Sequence, residues 1–154
     1  MSPRGTYALL LHLSVPRHVV VGALGAFNFP SGWYLYLGSA RGPGGLAARL
    51  ARHRRREKER HHWHIDYLRA VATLVEVWSS TGAAQRECGW AAAAAALSTA
   101  SIIAPRFGAS DCQCASHLYH FSLRPEPGQF EALVQTELIR ERLEEQKRHI
   151  GQGA

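Results

Sequence analysis

What most constrains this chain is a succession of three β-rich segments ahead of any run of good helix formers. Gly5 to Leu13 (GTYALLLHL), His18 to Phe29 (HVVVGALGAFNF) and Trp33 to Leu37 (WYLYL) are dense in β-branched, aromatic and leucine side chains. Ser14-Val-Pro-Arg17 and Pro30-Ser-Gly32 between them are turn chemistry. The pattern predicts three antiparallel strands in a meander. Gly42-Pro-Gly-Gly45 breaks it, and Leu46 to Glu59 is continuous helix former, with Leu46 and Leu50 one turn apart on one face.

Further on, Thr73 to Trp78 alternates as a strand and Gly82 closes it, while the alanine-rich Ala83 to Leu97 predicts a closely packing helix. Ser101 to Ala115 reads as loop and His117 to Leu123 as strand. Pro125-Glu-Pro-Gly128 is a boundary before a helix over Gln129 to His149, whose stripe of Phe130, Leu133, Val134 and Leu138 should dock it. The expected architecture is α+β, a small central antiparallel sheet with flanking helices, in which residues 1–124 form one domain and 125–154 a C-terminal helix packed on it. A chain of 154 residues suits one domain that buries about 70% of its unfolded surface.

Charge is the second constraint. The net charge is +6 with a sequence pI near 9.7, so polyanions are the favoured partners. From Arg41 to Arg69 nine Lys or Arg stand against three acids, which also gives +6, so the excess is local. Arg41, Arg52, Arg54, Arg55, Arg56 and Lys58 are the candidate phosphate contacts. The cluster His61-His-Trp-His-Ile-Asp-Tyr67 behind them adds the aromatics that suit base contacts, although Trp63 and Tyr67, one turn apart, read as core rather than as a base-stacking platform. Asp66 within this basic stretch reads as an ion-pair or capping partner.

The apolar run Ala91 to Leu97 is far short of the about twenty residues of a bilayer span, so no membrane-spanning helix is expected. Arg4 followed by Tyr7 to Leu11 imitates a secretory leader, but His12, Pro16, Arg17 and His18 interrupt it, and the segment reads as strand. Three cysteines, two of them at Cys112 and Cys114, do not make a disulfide framework, which points to a reducing, cytoplasmic setting. Nothing in the sequence sets an oligomeric state.

Gly42-Pro-Gly-Gly-Leu-Ala47 has the spacing of a dinucleotide fingerprint. The second parallel strand and its acid are missing, since Arg49 to Arg60 is basic helix, and no phosphate-loop Gly-Lys-Ser or Gly-Lys-Thr follows. A stronger constellation joins Gly5-Thr-Tyr7, Tyr36-Leu-Gly38-Ser-Ala40, Arg49 and His53 at i, i+4 on one helix face, and Glu87. Phenol, guanidinium, imidazole and carboxylate together suit metal-assisted phosphodiester hydrolysis. Cys112-Gln-Cys-Ala-Ser-His117 with Cys88 offers three thiols and an imidazole for a tetrahedral zinc site, or alternatively a small apolar packing cluster.

This series resembles the GIY-YIG nuclease superfamily, with Thr6 and Leu37 where the family name has isoleucine. His62-Trp-His-Ile-Asp-Tyr-Leu68, Glu87-Cys88 and Phe107-Gly-Ala-Ser-Asp-Cys-Gln-Cys-Ala-Ser-His-Leu118 look like a branch of it found alone or fused to endonuclease III type glycosylases. The resemblance spans about Gly5 to Phe121. It implies a divalent-metal-dependent endonuclease acting on DNA, structure-specific or repair-related, with RNA as the second candidate partner and Mg or Mn held by Glu87. Tyr7 would be the general base or a relay for the attacking water, with a pKa lowered by neighbouring cations, and Tyr36 would orient water or phosphate. Arg49 would hold the phosphate, and His53 would assist proton transfer or contact phosphate. His62 or His64 would supply the second family histidine, His64 being assigned to the site. The alternative is a non-catalytic basic nucleic-acid-binding module.

Overall fold

A computed structural model of the chain describes residues 2–143 apart from 57 and 59. The centre is a five-stranded sheet built from β1 (Gly5–Leu13), β4 (Gly32–Ala40), β5 (Thr73–Thr81), β6 (Leu118–Phe121) and β7 (Ile139–Arg142), ordered β6-β4-β1-β5-β7. Every neighbouring pair is antiparallel. The expected α+β class with a central antiparallel sheet is therefore correct.

The central strand β1 is apolar on both faces because both are covered. Tyr7, Leu9, Leu11 and Leu13 join one core with Leu46 and Leu50 of α1 (Gly45–Arg54) and Ile65 and Leu68 of α2 (His64–Arg69). Ala8 and Leu10 join a second core with Trp90, Ala91 and Ala94 of α3 (Glu87–Ala96) and Phe130 of α4 (Pro127–Val134). Two helical layers thus sandwich one sheet.

The meander differs from expectation. His18 to Phe29 is not one strand in the central sheet but a separate two-stranded ribbon, β2 (Arg17–Val21) and β3 (Gly25–Phe29), joined by a 3-10 turn over Gly22–Leu24. Gly22 at φ +47° and Gly25 at φ +128° bend the chain where an extended strand would have to run straight. This leaves β1 to pair directly with β4, Tyr7 opposite Gly38.

Three helix boundaries also move. The first helix stops at Arg54, short of Glu59, because the Arg69 guanidinium occupies its C-terminal carbonyls, donating to His53 O at 2.9 Å and Arg54 O at 3.0 Å. The alanine-rich helix starts at Glu87, after Ala83. The expected long helix over 129–149 ends at Val134, with Gln135 in the left-handed region at φ 54°. Ile139–Arg142 then adds to the edge of β5 as a strand, and residues 144–149 of that helix lie outside the described residues. Among the described residues no helix is long and apolar enough to cross a membrane.

Candidate active site and metal cluster

The site is organised where β1 begins and β4 ends. Tyr7 lies across Gly38, where an added Cβ would stand 2.5 Å from the Tyr7 ring, so the absent side chain makes room for the phenol. Tyr36, two residues earlier on β4, occupies the same face. The apolar side of α1 then sets His53 over both rings. Its Nε2 is 2.7 Å from the Tyr7 hydroxyl, and its ring lies 5.3 Å from Tyr7 and 6.2 Å from Tyr36 between centroids.

Burial sets the protonation of this group. Tyr7 is wholly buried and its phenol is pushed up to about 12, the loss of solvent outweighing the opposing charge of Arg49. That corrects the expectation of a lowered Tyr7 pKa: cations are beside it, yet desolvation is larger. Tyr36 is raised further by the same cause. His53 is lowered to about 3, again chiefly by burial. Tyr7 and His53 thus stand as a neutral phenol and a neutral imidazole sharing one proton.

His53 yields a stability prediction. An unfolded histidine titrates near about 6.5. Between that pH and about 3 the unfolded chain binds the proton and the folded one does not. Stability then falls as pH drops through this window, by up to about 1.4 kcal/mol per pH unit for this one group. His64 and His117, also lowered by burial, add the same sign. Urea unfolding at pH 7, 6 and 5 should show this decline, and His53→Gln should flatten it.

Arg49, one turn before His53, lies half-buried with its guanidinium 4.4 Å above the centre of the Trp63 ring, and Arg52 stacks on the same ring at 4.7 Å. With Gly42, Pro43, Gly45 and Ala48 these residues line a cleft of about 220 Å³. Glu87 stands in the first turn of α3, and its charge, like that of Asp66, adds a small upward push to both Tyr7 and Tyr36. Its Oε2 is buried without a hydrogen-bond partner. Asp66 Oδ1 is orphaned in the same sense but lies 3.7 Å from Lys58 Nζ, whereas the Glu87 oxygen leaves lone pairs that a hard divalent cation could take.

Other expected site residues are placed differently. His64 accepts the Gly108 amide at 2.8 Å on Nδ1 and packs on Phe107, which in turn touches Tyr36. It supports the loop behind Tyr36, one layer from the Tyr7–His53 pair. His62 is exposed and contributes its backbone N–H to Asp66. Among the expected phosphate contacts, Arg52 pairs with Asp66 at 2.7 Å, Lys58 lies 3.7 Å from the same carboxylate, Arg54 pairs with Glu141, and Arg56 donates to Thr73 at 3.2 Å. Arg41 and Arg55 are exposed. The Gly42–Gly45 turn is no phosphate cradle, since the first amides of α1 are taken by Pro3 O and Ser2 Oγ, at 2.9 Å each.

Cys88, Cys112, Cys114 and His117 come together beside Glu87. One ligand atom from each lies within 4.8 Å of all the others, a Cys3His set that could hold a metal ion such as zinc. Burial and the two neighbouring thiols push Cys114 up to about 12. Two contributors escape the sequence reading. Trp63, read as core, is the floor under Arg49 and Arg52, and Arg106, inside a segment read as plain loop, ties that loop to itself.

A family model described as a domain of unknown function, DUF123, matches residues 6–139. No curated protein and no solved structure matches the chain.

Proposed function

The chain belongs to the DUF123 family, and we propose that it is a divalent-metal-dependent endonuclease of the GIY-YIG type, cleaving phosphodiester bonds in DNA or RNA. One observation carries this reading: Tyr7, Tyr36, Arg49, His53 and Glu87, scattered along the sequence, face one another at one end of the sheet, with Tyr7 bonded to His53 and a buried Glu87 oxygen left over. A structural core has no need of two buried phenols, an imidazole, a guanidinium and a carboxylate in one place. The basic stretch around it supplies the polyanion attraction.

Glu87 is the residue that would hold Mg or Mn, and the ion would neutralise charge building on the scissile phosphate. The chain's own groups do the rest. Arg49, steadied on Trp63, presents its planar fork to a phosphate oxygen. The negative charge of a bound phosphodiester favours imidazolium, so His53 Nε2 takes the Tyr7 proton as the Tyr7 oxygen takes one from the attacking water. Tyr36, against the same imidazole, orients that water.

A panel of single strands, flaps, junctions and supercoiled plasmid, incubated with Mg, Mn or EDTA, tests the proposal. Metal-dependent nicking of at least one member is the expected result. Retention of the same substrates without nicking of any supports a basic binding module and overturns the enzyme.

Arg49→Lys separates catalysis from attraction. Lysine keeps the charge and loses the bidentate fork, so single-turnover cleavage should drop by about 10²-fold while affinity and salt slope stay near wild type. Arg55→Ala should instead weaken binding to every sequence and reduce the log-log salt slope by roughly one. Normal cleavage by Arg49→Lys with altered affinity would move Arg49 to the binding face.

A further inference from the structure

We propose that Cys88, Cys112, Cys114 and His117 bind one structural zinc ion, and that Arg106 shapes the loop presenting two of the thiols, so that the ion fixes the start of α3 and with it Glu87. The zinc assignment stands without the nuclease reading, and only its consequence for cleavage rests on that reading.

The distances fit a tetrahedron. Bonds of about 2.3 Å to sulfur and 2.0 Å to nitrogen require sulfur–sulfur edges of about 3.8 Å and sulfur–nitrogen edges of about 3.5 Å. His117 Nε2 is 3.4 Å from Cys112 Sγ and 3.9 Å from Cys88 Sγ, and the whole set closes within 4.8 Å. All three cysteines are free thiols. A disulfide would consume two of them and leave the third thiol and the imidazole facing a bridge with no role for either. Four protein ligands leave no open coordination position, which marks a structural ion and not a catalytic one.

The supports of the ligands matter as much as the ligands. His117 is clamped on both sides of its backbone, its N–H donating to Phe107 O at 2.8 Å and its carbonyl accepting from Leu37 N–H at 2.9 Å, directly after Tyr36 on β4. Arg106 sits in the left-handed region at φ 67°, an unusual place for its side chain, and its guanidinium donates to the carbonyls of Cys112 and Cys114 at 2.6 Å each and of Ala109 at 2.5 Å. It curls the loop so that both thiols point the same way. Three thiolates, one imidazole and a Zn2+ sum to one negative charge, and this guanidinium lies beside them to balance it.

Cys88 is the ligand that crosses from another layer. It follows Glu87 in the first turn of α3, so a metal bond to its sulfur pins that turn to the loop and to the start of β6. Without the ion, the hydrogen bond that ties Cys88 at the start of α3 to His117 is a weak thiol contact at 3.9 Å. Glu87 then loses the anchor that aims it at the two tyrosines.

The full chain, purified under reducing conditions without added metal, should carry one zinc per chain. After metal removal and titration with Co2+, it should give one equivalent of a tetrahedral site, with thiolate-to-cobalt charge transfer in the near ultraviolet and intense visible bands. Cys114→Ser should lose that spectrum, while His117→Cys should keep one equivalent and shift it to the four-thiolate form. Arg106→Ala should keep the spectral shape and weaken cobalt binding by about 10- to 100-fold. A reduced wild-type chain with no zinc and no charge-transfer band overturns the site, as does a native mass short by two hydrogens for a disulfide. Bound zinc without nicking on any substrate leaves the site standing and removes the nuclease. Full nicking activity after complete zinc removal removes the positioning of Glu87 alone.

Discussion

Asp66→Ala should lower the unfolding free energy by about 3–5 kcal/mol, the usual result of removing one partner from a buried ion pair. Asp66 is fully buried at the first turn of α2. Its Oδ2 accepts the His62 amide at 2.7 Å, the Trp63 amide at 3.0 Å and Arg52 Nη2 at 2.7 Å, while Lys58 Nζ lies 3.7 Å from Oδ1. Alanine would strand two helix-start amides and leave Lys58, whose side chain is only 3% exposed, without a counter-charge. The loss should show as a lower denaturant midpoint. A cost below about 1 kcal/mol would mean that solvent reaches these groups and that the pair is not truly buried.

The pH dependence of that contribution has a definite sign. Burial pushes the Asp66 carboxyl up, but the Trp63 and His62 amides and Arg52 together outweigh it and hold it below its ordinary value. An unfolded aspartate titrates near about 3.9. The stabilisation is complete above that pH and is lost as pH falls toward the folded value, because the unfolded chain then binds the proton first. Asp66→Asn keeps an acceptor for the amides and cannot titrate, so it should flatten the acid limb. Glu76, buried beside Arg140 and Arg124 and held low with their help, keeps part of that limb in the variant.

Particular residues explain what the sequence made legible. The run from Gly5 to Leu13 is apolar at every other position and nearly so between, which is what a strand covered on both faces requires. Gly22 and Gly25 inside an otherwise β-rich stretch were the available sign that His18 to Phe29 is broken, since a lone glycine in a strand pattern marks a bend. Ile139 to Arg142 gave no such sign. Ile-Arg-Glu-Arg has helical propensity, and only pairing with β5, with Arg140 reaching the buried Glu76 at 2.7 Å, makes it a strand.

At the site, residue type and helical spacing were enough to place Arg49 and His53 on one face of a helix. The direction of the Tyr7 shift was not legible, because it depends on how little water reaches the phenol, and neighbouring cations are visible in a sequence while desolvation is not. Cys112, Cys114 and His117 announce themselves by spacing. Cys88 joins them only because α3 packs across the end of β4 and β6. The role of Arg52 was obscured by its neighbours: in a basic run every arginine looks like a phosphate contact, and the fold commits this one to Asp66 and Trp63.

Glu87→Gln should abolish metal-dependent cleavage, by about 10³-fold or more, and leave the fold in place. The two halves have different physical grounds. Cleavage should go because the amide is isosteric yet uncharged, and a hard cation binds it far less well than a carboxylate. The fold should stay because the buried Oε2 has no hydrogen-bond partner to lose. Only the favourable placement of a negative charge in the first turn of α3 is given up, worth about 0.3–1 kcal/mol. Substrate retention and its salt slope should match wild type, since the proposed phosphate contacts are the cations of the basic stretch from Arg41 onward and not Glu87. This pairing of lost turnover with unchanged stability and binding is the signature of a metal-holding carboxylate. A variant that cleaves normally would remove Glu87 from the reaction, and one that unfolds would make its orphaned oxygen a structural contact after all.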